Sequence, residues 1–222
     1  NELVSTIEKV LPVDANSTEL KVLGGLTLLS FIPIIVVSMT AFLRIVIVLS
    51  MLRHALGVQQ TPPNMALIAL ALFLTFFTMQ PTFNQIQAQA ISPYYGGEIS
   101  VNEAVTKGYL PLKQFMISQT RERDIAAVIN IAEKTMPNSV EEIEFGTLVP
   151  AFMLSELTTA FKIAFIIFVP FLLIDLIVAT VLMSLGMIML PPITVALPLK
   201  VMLFVLIDGW SLLSESLISS FK

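Results

Sequence analysis

Residues 181–192 read VLMSLGMIMLPP and lie between two long apolar stretches. Gly186 weakens a helix because it lacks a side chain and gains backbone freedom. Pro191 and Pro192 follow closely, and neither can donate a backbone hydrogen bond. The pattern therefore predicts that the chain turns here and joins two helices.

The predicted turn is unusually rich in methionine, at Met183, Met187 and Met189. Methionine has a long, unbranched and polarizable side chain that fills irregular gaps and repacks readily. Such side chains suit a deformable seal between surfaces. The alternative interpretation is that the three methionines simply fill a hydrophobic core.

The composition is that of a membrane protein. Of 222 residues, 56% are hydrophobic and only 13% are charged, and the mean hydropathy is +0.89. The single tryptophan and three tyrosines provide little material for aromatic belts at two membrane interfaces. The net charge of −4 does not favour nucleic-acid binding, and the lack of cysteine excludes disulfides and thiolate metal sites.

Alternating apolar and polar stretches divide the chain into four segments. Abundant alanine, leucine and methionine favour helices over strands, so the predicted fold is all-α, with two helical hairpins and a polar helical insertion. The predicted segments are a polar N-terminal segment at 1–25, an apolar hairpin at 26–81, a water-facing insertion at 82–146 and an apolar hairpin with the methionine-rich turn at 147–222.

Prolines are expected to interrupt these apolar segments. Pro33 and Pro170 lie inside the two hairpins and predict broken helices, and Pro81 is expected to end an apolar run that begins at Met65. That run would be short for a hydrocarbon core of roughly 30 Å. It would therefore span a membrane only marginally.

Several charged residues lie inside the apolar segments. Charges there are costly and normally face a partner or a water-filled cavity. For those near the ends of apolar runs, the alternative is that the side chain extends to the membrane interface. The charges are Arg44, Glu156, Lys162, Asp175, Lys200 and Asp208.

No sequence motif indicates an enzyme, a metal site or a cofactor. Phosphate-binding loops, nucleophile elbows and zinc-protease motifs are absent from the sequence. The only histidine, His54, has no carboxylate near it in sequence and is expected to be a polar group near a helix end. We therefore expect no catalytic activity and no cofactor.

Short motifs distributed from about residue 26 to the end carry a family resemblance. They are LRHALG at 52–57, TPPN at 61–64, LALFLTFF at 70–77, SEL at 155–157, AFK at 160–162, the turn at 183–192, ALPLK at 196–200 and LIDGW at 206–210. With these motifs the chain resembles the FliP family of flagellar export-gate proteins, which is shared with the matching gate protein of virulence type III secretion.

The resemblance implies a subunit of a helical channel complex. Several copies of the chain would join the gate proteins FliQ and FliR, with further contacts to FlhB, FlhA, the MS ring and the proximal rod of the basal body. The complex would sit in the bacterial inner membrane, raised toward the periplasm, and a signal peptide would have been removed. Consistent with that expectation, Asn1 is not an initiating methionine, although the numbering could also start inside a longer chain.

The resemblance also implies roles for particular residues. The family's methionine gasket around the pore maps onto Met187, Ile188 and Met189, and Ile188 replaces the methionine that is usual in the family. Charged contacts between subunits would map onto Arg121, Glu156 and Lys200.

The function expected on these grounds is a pore-forming subunit that passes unfolded flagellar substrates from cytoplasm to periplasm. The alternative is a proton-coupled secondary transporter. In that case broken helices at Pro33 and Pro170 would frame a binding site at the membrane midplane, and Asp175 would relay protons.

Overall fold

The computed structural model describes residues 18–58, 60–133, 135, 137, 139, 142–187 and 189–221. These residues are mainly helical and contain no strand, which confirms the all-α prediction for the described part of the chain. The helices are α1 (Thr18–Met39), α2 (Phe42–Leu56), α3 (Asn64–Ile86), α4 (Ser92–Tyr95), α5 (Val101–Gln119), α6 (Glu122–Ile131), α7 (Phe145–Ser184), α8 (Ile193–Leu206) and α9 (Gly209–Ser219).

The chain divides into two compact units, residues 1–37 and residues 38–222. In the first unit, the described part is helical and exposes Leu26, Phe31 and Ile34. All other helices belong to the second unit. The predicted polar segment at 1–25 lies largely outside the described residues.

Helix α2 is the central helix of the second unit. Ile45, Val48, Leu49 and Leu52 recur at helical spacing and are at most 1% exposed. This face packs against α7 and α3, so the first apolar segment is buried mainly against the last one. Helices α2 and α3 thus share one core with α7.

The polar insertion packs against the beginning of α7. Its helix α5 begins with a capping box, in which the Ser100 hydroxyl accepts from the Glu103 N–H and the Glu103 carboxylate accepts from the Ser100 N–H. Met116 of α5 then joins a second buried cluster with Leu148 and Phe152 of α7. This contact fixes the insertion on the second hairpin.

The prolines do not break the helices, and the sequence-based expectation is wrong on this point. Pro33 lies inside α1, Pro81 inside α3, and Pro170 inside α7. Proline removes one hydrogen bond, but the remaining backbone groups of a long apolar segment have no better partners than those of the helix. The helix therefore continues past each proline.

Helix α3 consequently continues well beyond the predicted end of the first apolar run. A π-helical turn, Gln87–Ile91, connects α3 to α4 without interruption, so Asn64–Tyr95 is one helical stretch of 32 residues. The predicted segment boundary between residues 81 and 82 falls within this stretch.

Within the described ranges of the chain, two helical stretches are long and apolar enough to cross a membrane, Asn64–Tyr95 and Phe145–Ser184. Two pairs of shorter helices meet the same criterion only when each pair is counted as one span, Pro33–Met39 with Phe42–Leu56 and Ile193–Leu206 with Gly209–Ser219. Helix length and composition thus support a membrane location.

Candidate functional site

The methionine turn begins with a well-defined helix end. Helix α7 ends at Ser184, and Gly186 then adopts a left-handed conformation with φ of 75°. The Gly186 N–H donates to the Met183 carbonyl at 3.0 Å, and the Met187 N–H donates to the Leu182 carbonyl at 3.0 Å. This pair of bonds is a Schellman motif, for which glycine is the preferred residue. The predicted turn is confirmed.

The proline pair starts the next helix. Pro192 has φ of −55° and directly precedes α8, where a missing N–H costs little because the first amides of a helix have no internal partner. The Pro191 carbonyl accepts from the Thr194 N–H at 3.1 Å and from the Thr194 hydroxyl at 2.7 Å. The turn is therefore fixed at both ends by backbone chemistry.

The methionine side chains of this turn point away from the core of the single chain. Met183 is 64% exposed, Met187 45% and Met189 98%. The hydrophobic contact behind the turn is made by other residues: Val178, Leu182 and Ala196, with Ile174 and Leu190 at its edge. The core-filling interpretation of the methionines is therefore wrong within one chain. Ile188 lies outside the described residues.

Arg44 and Glu156 form a buried ion pair in the centre of the second unit. Arg44 is 2% exposed and Glu156 0%. The Arg44 Nε donates to Glu156 Oε2 at 2.9 Å, and Arg44 Nη2 donates to Glu156 Oε1. This two-point contact joins α2 to α7 with the planar geometry that arginine and carboxylate favour.

The remaining donors of Arg44 bind residues after α9 and at the end of α5. Nη1 donates to the Ser220 carbonyl at 2.8 Å and to the Ser220 hydroxyl at 3.1 Å, and Nη2 donates to Gln119 Oε1 at 3.1 Å. The Phe221 ring covers the guanidinium, with its centroid 3.7 Å from Arg44 Cζ. Every guanidinium N–H thus has an acceptor.

Lys200 and Asp175 form a second ion pair between α8 and α7. The Lys200 Nζ lies 2.6 Å from Asp175 Oδ2 and also donates to the Ala55 carbonyl at 3.1 Å. The Lys200 side chain is 7% exposed, whereas that of Asp175 is 40% exposed. Lys200 is therefore largely desolvated, whereas Asp175 reaches the surface of the chain.

Arg121 lies near the Arg44–Glu156 pair but binds a different carboxylate. Its Nε donates to Asp124 Oδ2 at 2.8 Å, and its backbone N–H donates to the Ser155 hydroxyl at 3.0 Å. Nη1 and Nη2 are buried with no hydrogen-bond partner among the described residues, although Nη2 is 2.6 Å from Asp124 Oδ2. Arg121 thus has unused donors.

Asp124 is held in its ionised form by these neighbours. Burial alone would raise the pKa of Asp124, but hydrogen bonds from Ser155 and Arg121 and the positive charge of Arg121 lower that pKa below its ordinary value. The Ser155 hydroxyl donates to Asp124 Oδ2 and accepts from Arg121. It therefore links α6 to α7.

Two charges that were expected to be buried are exposed in the single chain. Lys162 projects from the outer face of α7, and Asp208 lies in a left-handed turn between α8 and α9 with φ of 50°. Conversely, Glu156 and Lys200 do not extend toward an interface, because both are buried and paired. Apolar sequence context alone did not distinguish these situations.

Sequence reasoning missed the residues that complete the Arg44 site. Gln119, Ser220 and Phe221 belong to segments that carry no local signal for an arginine partner. The contact to Ala55 could not be predicted from the sequence either, because it uses a backbone carbonyl.

His54, as expected, lies near a helix end, where its Nδ1 is 2.7 Å from the Ser50 carbonyl. No group of metal-binding side chains occurs in the part of the chain that the structure describes.

The chain belongs to the FliP family, whose family profile matches residues 25–217. It is similar to the flagellar biosynthetic protein FliP of Bacillus subtilis strain 168, with 50% identity over 221 residues that cover all of both chains. It is also 48% identical to the FliP protein of Pectobacterium carotovorum subsp. carotovorum over 222 residues, 99% of this chain and 86% of that protein. The FliP protein of Aquifex aeolicus is 45% identical over 91% of this chain and 86% of its own length.

Proposed function

We propose that the chain is a pore-forming subunit of the flagellar type III protein export gate. In this role it passes unfolded flagellar substrates across the bacterial inner membrane. Membership of the FliP family and the long apolar helices support a membrane component of the flagellar export apparatus. The more specific role, conduction of substrates through a pore, is supported mainly by the methionine turn.

The observation that carries the proposal is the exposure of Met183, Met187 and Met189 on a rigid turn. The backbone is fixed by the Schellman motif and the prolines, while the thioether side chains stay free to repack. When several copies surround one axis, their turns can meet and close a ring. Flexible apolar side chains then exclude water and ions around a closed pore or around a passing chain.

The proposed assembly contains further copies of this chain with FliQ and FliR. FlhB, FlhA, the MS ring and the proximal rod are the expected neighbours, and the complex lies largely on the periplasmic side of the inner membrane after signal-peptide removal. The outer face of α7 supports such an assembly, because a continuous exposed apolar face needs cover from protein or lipid. This face includes Leu154, Phe161, Phe165, Ile166, Val169, Leu172, Leu173, Leu176, Ile177 and Val181.

Of the three residues expected at subunit contacts, we propose that Arg121 contacts a neighbouring subunit directly. Glu156 and Lys200 already have carboxylate or cation partners within the chain. Arg121 also has a carboxylate partner, Asp124, but its Nη1 is buried with no hydrogen bond among the described residues, and an unsatisfied buried donor is costly. A carboxylate of a neighbouring subunit would satisfy this nitrogen.

The test of the seal is the resting ion conductance of the assembled complex. Replacing Met183, Met187 and Met189 by alanine removes the thioether volume and keeps Gly186 and the proline pair. We expect assembly close to that of the parent, as read by native mass spectrometry, together with an ion leak in reconstituted membranes.

The matched control replaces Met65 and Met202, which are exposed elsewhere on the chain, by alanine. The control should not leak. Equal resting conductance of the parent and the turn variant, in complexes of equal composition, would exclude the seal.

The structure removes the main support for the secondary transporter. That alternative requires discontinuous helices at Pro33 and Pro170, which instead lie within α1 and α7. Asp175, its expected proton carrier, is bound to Lys200. We therefore retain the export gate as the proposed function.

A further inference from the structure

We propose that Asp175 and Lys200 are positioning residues that clamp the α7–α8 hairpin and thereby hold the methionine turn in place. The inference rests on the proposed role of the turn as a seal. It concerns a contact within one chain and does not require either residue to touch the pore or a neighbouring subunit.

The ion pair joins the two helices of the hairpin at a distance from the methionine turn. Asp175 is on α7 and Lys200 on α8, and their charged atoms are 2.6 Å apart. At about 1.5 Å per residue, the pair lies roughly 14 Å from the end of α7. Between the pair and the turn, α7 and α8 share a small buried cluster of Val178, Leu182 and Ala196. The ion pair therefore joins α7 to α8 at the start of the part of the hairpin that carries the methionine turn.

Lys200 is also bound to α2. Lys200 also donates to the carbonyl of Ala55, which lies in the last turn of α2. Carbonyls in the last turn of a helix lack an intrahelical donor and need another partner. One ammonium group therefore links α8 to α7 and to the central helix. Movement of α8 away from α7 has to break the contact with Asp175, and the Ala55 carbonyl holds the ammonium at the position where that contact forms.

Asp175 and Lys200 are buried to different extents. Lys200 is buried, whereas 40% of the Asp175 side chain is exposed. Without Asp175, the ammonium stays desolvated with only a carbonyl as partner, which is unfavourable for a buried charge. Without Lys200, the carboxylate can still be hydrated. Loss of Asp175 should therefore loosen the hairpin more than loss of Lys200.

The experiment measures the width of the hairpin in the assembled complex. The chain contains no cysteine, so cysteines introduced at Val181 on α7 and Val195 on α8 can be spin-labelled selectively. Both positions are exposed. Labelled copies are diluted with unlabelled ones so that distances within one chain dominate, and the distances are read by pulsed electron resonance.

We expect one narrow distance distribution in the parent. Asp175→Ala should give a longer and broader distribution, Lys200→Met a smaller change, and the exchange Asp175→Lys with Lys200→Asp a return toward the parent. Glu215→Ala removes an exposed charge from α9 and should change nothing. An unchanged distribution for Asp175→Ala would overturn the clamp, as would equal broadening for Glu215→Ala.

Resting conductance, measured on the same complexes, separates the clamp from the seal. A widened hairpin with a leak supports both ideas. A widened hairpin without a leak retains the clamp and contradicts the seal. A leak with an unchanged hairpin contradicts the clamp. Helix content and subunit composition, measured in parallel, show whether a variant has folded and assembled.

Discussion

Arg44 and Glu156 are 112 residues apart in the sequence, yet they form a two-point ion pair at the centre of the second unit. Both side chains are almost inaccessible, and the five N–H groups of Arg44 are satisfied by Glu156, Gln119 and Ser220. Burial of two charges costs desolvation energy, but a single buried charge without its partner is more costly still. Removal of either Arg44 or Glu156 should therefore destabilise the fold.

We expect Arg44→Met and Glu156→Leu each to lower the free energy of unfolding by about 3–5 kcal/mol, because each leaves a buried charged partner without its counterion. The double variant Arg44→Met with Glu156→Leu should recover most of that loss, since both charges are then replaced by apolar groups. Thermal unfolding in detergent and a double-mutant cycle provide the measurement. Lys162→Met, on the exposed face of α7, is the control and should stay within about 0.5 kcal/mol of the parent.

Asp124 should titrate below an ordinary aspartate. Hydrogen bonds from Ser155 and Arg121 lower its pKa in the folded state, so its contribution to stability is fully present above the unfolded pKa of about 3.9 and is lost as the pH falls through the folded pKa. Carboxyl-carbon NMR should show this low pKa and a higher one in Ser155→Ala. Thr158→Ala removes a hydroxyl that binds only the Leu154 carbonyl, and it should leave the Asp124 titration unchanged. Equal titration curves in parent and Ser155→Ala would contradict the assignment.

Gly186 and Gly209 should respond to alanine for different reasons. An added Cβ at Gly186 meets no atom within 4 Å, so Gly186→Ala suffers only the strain of its left-handed backbone, about 1–2 kcal/mol. An added Cβ at Gly209 would lie 2.2 Å from Phe204 Cε2, so Gly209→Ala forces the ring to move, at about 1–3 kcal/mol.

A second change distinguishes these causes. Phe204→Leu shortens the obstructing side chain and should reduce the effect of Gly209→Ala in a double-mutant cycle. It should not reduce the effect of Gly186→Ala. Additive effects at positions 204 and 209 would show that the steric explanation is incorrect.

The helical class and the methionine turn could be predicted because their signals are local. Apolar composition indicates long helices, and Gly186 followed by Pro191 and Pro192 leaves the chain no regular helical continuation. The direction of the methionine side chains could not be predicted. A methionine-rich turn has the same local pattern whether it packs inward or outward, and only the cluster of Val178, Leu182 and Ala196 behind it settles the question within one chain.

The buried charges show why the rest of the site could not be predicted. Apolar context identified Arg44, Glu156 and Lys200 as charges that need a partner or a water-filled cavity, but it did not identify the partner. Their observed partners depend on tertiary packing between α2, α7 and α8, which sequence spacing does not contain. The same context did not show that Lys162 is exposed in the single chain, because an apolar helix can have one face in the core and the other outside.

The length of α7 sets a limit on how much of its apolar face lipid can cover. Its 40 residues extend over roughly 60 Å at about 1.5 Å per residue, whereas the hydrocarbon layer is about 30 Å thick. Exposed apolar side chains continue along it from Leu154 to Met183. An isolated copy must therefore bind detergent well beyond the belt that its membrane spans require. Each neighbouring subunit that covers part of this face should reduce the amount of detergent bound after extraction. The detergent bound per chain therefore reports how many subunits have assembled.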